Sequence, residues 1–147
     1  MIDAVIVTRR IDASPETVFS FFADIDRWTA WQGVDGVVEC RPGGTFRVRM
    51  PGGEVASGTF VELVPLARIV FTWGWEGDGH PLPPGSTTVV VELEPDGDGT
   101  LLRLTHGPLA PPFDAPHRDG WERYLGRLAI RAEGGDPGPD LAMAEPH

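Results

Sequence analysis

The chain has 147 residues, with 12 basic against 22 acidic side chains and a formal net charge of -10. One domain of ordinary size fits that length, and the charge repels phosphate backbones and anionic headgroups, so neither nucleic acid nor membrane insertion is expected. Every basic residue is Arg, which removes Lys Schiff-base chemistry and the Lys-dependent phosphate loop, and the lone Cys40 excludes an internal disulfide or a thiolate zinc site.

Val5, Val7 and Ile11 recur at even spacing and predict a first strand with one buried face, a face that Arg9 shares. Ser14 then offers an N-cap and Pro15 a first helical residue, with Val18, Phe22 and Ile25 at helical spacing. Thr17 stands where Glu would complete a capping box. A second short helical turn is predicted over 26–31. From Val37 to His106 the pattern changes to strands of about five to eight residues. They are separated by Pro42-Gly43-Gly44, Pro51-Gly52-Gly53, Val64-Pro65 and Asp96-Gly97-Asp98-Gly99. Phe46, Val48 and Met50 alternate with Thr45, Arg47 and Arg49, and Ile69, Phe71, Trp73 and Trp75 with Arg68, Val70, Thr72 and Gly74, as in neighbouring strands of an antiparallel meander.

A long helix follows, with Trp121, Tyr124, Leu125, Leu128, Ala129 and Ala132 on one apolar stripe and Arg118, Glu122, Arg123, Arg127 and Arg131 mostly opposite. Gly134-Gly135-Asp136-Pro137-Gly138-Pro139 stops it. The division expected is one domain over 1–133 and a flexible acidic tail over 134–147. The apolar run Ala4 to Val7 precedes Arg9 and Arg10, the wrong order and length for a signal peptide, and no stretch nears the roughly 20 apolar residues of a membrane helix. A reducing, cytoplasmic setting is therefore expected.

Strand, two short helices, six strands and a long amphipathic helix is the order of the helix-grip fold. The segments Ile11-Asp-Ala-Ser-Pro-Glu-Thr-Val-Phe19, Arg41-Pro-Gly-Gly-Thr-Phe46, Gly58-Thr-Phe-Val-Glu62, Ile69-Val-Phe-Thr-Trp73, Gly99-Thr-Leu-Leu-Arg-Leu-Thr-His106 and Gly120-Trp121 resemble the activator of heat-shock protein 90 ATPase homologue family. That family belongs to the START-like, or SRPBCC, superfamily. The resemblance implies an α+β domain in which a curved antiparallel sheet of about seven strands wraps the C-terminal helix. It also implies a deep hydrophobic cavity between them, used across the superfamily for lipids, sterols and polyketides. Chaperone stimulation by eukaryotic proteins with this domain also needs a separate N-terminal domain, so a chaperone is not an expected partner.

The cavity-lining set expected from converging faces is Arg9, Phe22, Trp28, Trp31, Phe46, Val48, Phe71, Trp73, Trp75, His106, His117, Trp121, Tyr124, Leu125 and Leu128. Trp73 and Trp121 read first as core filling, whereas Trp28, Trp31 and Trp75 fall where a cavity mouth would be. Arg9, read as pointing inward, would pair with Glu92 or Glu94 or hold a ligand carboxylate or enolate, unless fraying of the strand end leaves it in water. No nucleophile or metal-binding motif occurs. The candidates for proton transfer are His106, ending a strand, and His117, one helical turn before Gly120-Trp121. Their plainer reading is as hydrogen-bonding partners of the proline-rich loop from Pro108 to Pro116. His80 and His147 fall in a loop and the tail, so neither a histidine metal site nor any cofactor is expected.

The leading functional reading is binding of a small hydrophobic or aromatic molecule in that cavity. Two alternatives stay open, a polyketide cyclase or hydrolase-like enzyme using His106, His117 or Arg9, and a chaperone-interacting module. A homodimer also stays open.

Overall fold

A computed structural model describes residues 3–141. Its elements run β1 (Val5–Ile11), α1 (Pro15–Ser20), α2 (Ile25–Trp28), β2 (Asp35–Val38), β3 (Thr45–Arg49), β4 (Val55–Val64), β5 (Arg68–Trp75), β6 (Thr87–Asp96), β7 (Gly99–Gly107) and α3 (Asp114–Ala132). The strands form one antiparallel sheet in the order β1-β7-β6-β5-β4-β3-β2. Strands β2 to β7 are a meander, and β1 closes the far edge on β7, with Val5 opposite His106 and Ile11 opposite Thr100. This curved seven-stranded sheet and the long C-terminal helix make the helix-grip architecture expected from the sequence.

Alternation decides the faces. In β3 the side chains of Phe46 and Val48 are buried while Thr45, Arg47 and Arg49 are exposed. The same parity turns Phe60, Ile69, Phe71, Trp73, Val89, Val91, Leu102 and Leu104 inward, where they meet Trp121, Leu125 and Leu128 of α3 in one core. Tight returns keep the register. Gly53 between β3 and β4 has φ +96° and Gly97 between β6 and β7 has φ +60°, values that a Cβ disfavours.

Ser14 caps α1 as expected, its hydroxyl accepting from the Thr17 N–H at 3.2 Å. The helical pattern running on to Ile25 breaks after Ser20, because Asp24 caps a new helix by accepting from the Arg27 N–H at 2.9 Å. At the other end, α3 begins at Asp114, so the expected proline-rich loop is shorter and Pro116 occupies the first helical turn, where no intrahelical N–H bond is required.

The first part of the expected tail runs back over α3. Arg127, counted above with the polar side of the helix, is buried and donates to the carbonyls of Trp31 at 2.9 Å, Pro137 at 3.3 Å and Gly138 at 2.9 Å. The buried Asp140 carboxylate accepts from the Gly33 N–H at 2.7 Å and pairs with Arg123 at 2.9 Å. These bonds make residues 136–141 a strap across α3, and residues 142–147 of the expected tail lie outside those described.

Candidate functional site

The N-terminal half of α3 presents His117, Gly120, Trp121 and Tyr124 at helical i, i+3, i+4 and i+7 spacing toward the end of β5, where Trp73 and Trp75 lie two residues apart on one strand face. Between them is a cleft of about 300 Å³, completed by Met50, Pro51, Gly52 and Glu54 of the β3–β4 return, Gln32, Pro116, and Leu141 at the end of the strap. Gly120 leaves open space where a side chain would stand, since a Cβ there would meet nothing within 4 Å.

Two indoles form the inner wall. Trp73 and Trp121 have ring centroids 5.2 Å apart, and Trp75 stands edge-on to Trp73 at 5.5 Å. Both inner rings are almost wholly buried, so the expected core role and a lining role coexist in the same side chains. The indole N–H of Trp73 is buried with no hydrogen-bond partner.

Behind this wall lies a hydrogen-bonded chain. Trp121 Nε1–H donates to His106 Nδ1 at 2.9 Å, so the ring proton of His106 is on Nε2 and points at Thr87 Oγ1, 2.8 Å away. Thr87 passes the chain on to the Trp73 carbonyl at 2.7 Å. Burial, with a smaller contribution from nearby His117, pushes the His106 pKa down to about 3. Protonating Nδ1 would set one N–H against another.

His117 is engaged in the same way. Its Nδ1–H donates to the Phe113 carbonyl at 2.7 Å, and its Nε2 accepts from Trp75 Nε1–H at 3.1 Å. Burial lowers its pKa, opposed by the Phe113 bond and helped by His80. Each histidine thus has its acceptor nitrogen occupied by an indole. Tyr124 is a neutral phenol, raised to about 12 first by burial and then by Asp140, and its hydroxyl lies 3.9 Å from Met50 Sδ. The site offers aromatic faces and edges, and neither imidazole presents a free lone pair to it.

Of the expected set, the structure brings Trp73, Trp75, His117, Trp121 and Tyr124 to the cleft, with His106 behind them. Phe22, Trp28, Trp31, Phe46 and Phe71 instead form a closed aromatic cluster in which neighbouring centroids lie 4.7 to 5.7 Å apart. The placement of Trp28 and Trp31 at a mouth is corrected. Their indoles stack on each other, are fully buried, and donate to Gln32 Oε1 at 2.9 Å and the Phe21 carbonyl at 3.0 Å. Val48, Leu125 and Leu128 are core residues that do not line the cleft.

Arg9 is also corrected. It shares the face of Val5 and Val7 yet is exposed, because β1 is an edge strand and the guanidinium runs out beside Gly126 of α3. Glu92, one of its expected partners, binds Arg68 at 3.1 Å. The reading missed Gln32, Glu54, Pro116 and Leu141. For Met50 the alternation with Phe46 and Val48 carried the signal. Among the described residues no group of three or more His, Cys, Asp or Glu is placed to hold a metal.

Residues 12–133 match the family model described as Activator of Hsp90 ATPase homolog 1-like protein. Among solved structures, an AHSA1-like protein from Rhizobium etli is 39% identical, with a TM-score of 0.70, 99% of this chain covered and 93% of that one. DynU16, a protein in the dynemicin biosynthetic locus, is 23% identical with a TM-score of 0.77; the match takes in 95% of this chain and 51% of that one, so this chain spans about half its length. The Aha1 of Colwellia psychrerythraea, a dimer in solution, is 24% identical with a TM-score of 0.77, covering 92% and 98%. No curated protein matches. Among the described residues no helix is long and apolar enough to cross a membrane.

Proposed function

The chain belongs to the activator of Hsp90 ATPase homolog 1-like family, and from that premise we propose that it binds a small hydrophobic or aromatic molecule in the cleft between β5 and α3. The observation that carries this reading is the convergence of Trp73, Trp75, Trp121 and Tyr124 on one open volume of about 300 Å³. That volume is at the lower end of the roughly 300–1,000 Å³ range of small-molecule sites. Apolar walls with a few polar groups suit such a ligand, and rings that offer an edge or face to the cleft supply stacking worth about 0.5–1.5 kcal/mol per pair beyond burial.

The engaged state of both histidines supports binding over turnover. A general base needs a free lone pair within reach of the proton it removes, and here both acceptor nitrogens already hold indole N–H groups. The test is a titration of aromatic lipophiles followed by tryptophan emission. Binding is expected to shift or quench the emission, and Trp75→Ala, which removes the most accessible indole of the wall, is expected to weaken the best compound about tenfold. No emission change with any compound, or an affinity untouched in Trp75→Ala, would refute the proposal.

A further inference from the structure

The charge around the cleft is one-sided. Among the described residues that line it, Glu54 carries a carboxylate and none is an arginine. The Glu54 carboxylate lies over Gly52, where a Cβ on that glycine would sit 2.9 Å from each of its oxygens, and both residues line the cleft. Glu54 makes no ion pair with any described residue, whereas the neighbouring cations are committed elsewhere: Arg47 to Glu76 at 2.8 Å and Arg49 to Asp35. Arg123, whose guanidinium lies 4.9 Å from the centre of the Tyr124 ring, is paired with the buried Asp140 at 2.9 Å. His117, the imidazole of the wall, is uncharged in its bonded state, donating to Phe113 and accepting from Trp75, with His106 5.3 Å away and His80 6.4 Å from Trp75 between ring centres.

An anionic ligand entering here would give up water for ring faces, a carboxylate and the single unpaired indole N–H of Trp73, with no cation to receive it. A cation meets the negative faces of indole and phenol and an unpaired carboxylate. We propose that the cleft selects an aromatic ligand bearing a positive charge, with the ring between Trp75, Trp121 and Tyr124 and the cationic group toward Glu54. This rests on the ligand-binding reading above and adds the charge class of the ligand.

Three naphthyl probes separate the two ideas: naphthyl-trimethylammonium, its neutral isostere tert-butylnaphthalene and the smaller, planar anion naphthoate, titrated calorimetrically into the full chain and into Glu54→Gln. The cation is expected to bind about tenfold more tightly than naphthoate. In E54Q that gap is expected to narrow about threefold, with the affinity of the neutral probe unchanged, which also shows that the exposed substitution leaves the cleft folded. Naphthoate bound as tightly as the cation would overturn the charge selection and leave the ligand-binding reading standing. A cation preference of the same size in E54Q would overturn the assignment to Glu54. Absence of binding by all three probes would overturn both.

Discussion

His106 ties acid stability to the cleft. The folded chain holds its ring neutral between Trp121 and Thr87, with a pKa pushed from 6.5 down to about 3, chiefly by burial. The unfolded chain therefore binds a proton near pH 6.5 that the folded chain refuses until near pH 3, so stability falls as pH falls through that window. Each pH unit inside the window costs about 1.4 kcal/mol, so acidification from about pH 7 to about pH 5 should remove roughly 2 kcal/mol through this one side chain. His117, also lowered, acts in the same direction, whereas the lowered carboxyls of Asp35, Glu39 and Glu76 act only below their ordinary value near 4. Urea unfolding followed by tryptophan emission at a series of pH values measures the slope. In His106→Gln the amide can accept from Trp121 and donate to Thr87 without titrating, so its loss over the same interval should be smaller by roughly 2 kcal/mol. Parallel loss of stability in the parent and His106→Gln would refute the assignment.

Asp140→Ala leaves the Gly33 N–H and the partly buried Arg123 without their shared acceptor and is expected to cost about 2 kcal/mol in urea unfolding, while Asp140→Asn, which keeps an acceptor for Gly33, should cost less. Because Leu141 is part of the cleft wall, the same substitution should also change the affinity of any aromatic probe that binds there. Phe46→Ala is expected to cost about 3–5 kcal/mol by the same measurement and, because the Phe46 ring stacks on Trp73 at 5.4 Å, to loosen the inner wall of the cleft as well.

The sheet was legible because its strands are two-faced. Phe46 and Val48 against Thr45, Arg47 and Arg49 specify register as well as strand, since a slip of one residue would drive arginines into the core. The strap was illegible for the opposite reason. Arg123, Arg127 and Arg131 recur every four residues on α3, and that spacing describes a solvated face as well as a row of donors to a returning chain. Only the fold shows that Arg127 meets Trp31, Pro137 and Gly138. Arg9 misled through parity, because facing the helix side of an edge strand is not the same as being covered by the helix. His106 and His117 were found, but the indoles that take their acceptor nitrogens lie 15 and 42 residues away in the chain, which no local pattern encodes.

The five tryptophans divide by how their N–H groups are satisfied. Trp28 and Trp31 donate to Gln32 and to the Phe21 carbonyl within a cluster closed on every side, so their role is complete without a ligand. Trp75 and Trp121 donate to the two histidines, and those bonds take up both imidazole acceptor nitrogens and hold both indoles in place at the cleft. Trp73 alone has a buried N–H without a partner, a condition that costs about 1–3 kcal/mol. Folded proteins keep such groups rarely. Here the orphan sits in the wall of the cleft and not in the closed cluster, so the least satisfied part of the aromatic core is the part that borders open volume. The wall of this site is a section of the hydrophobic core left one-sided, and for that reason substitutions at Trp73 or Trp121 should disturb stability and binding together, whereas the exposed Glu54 separates the two.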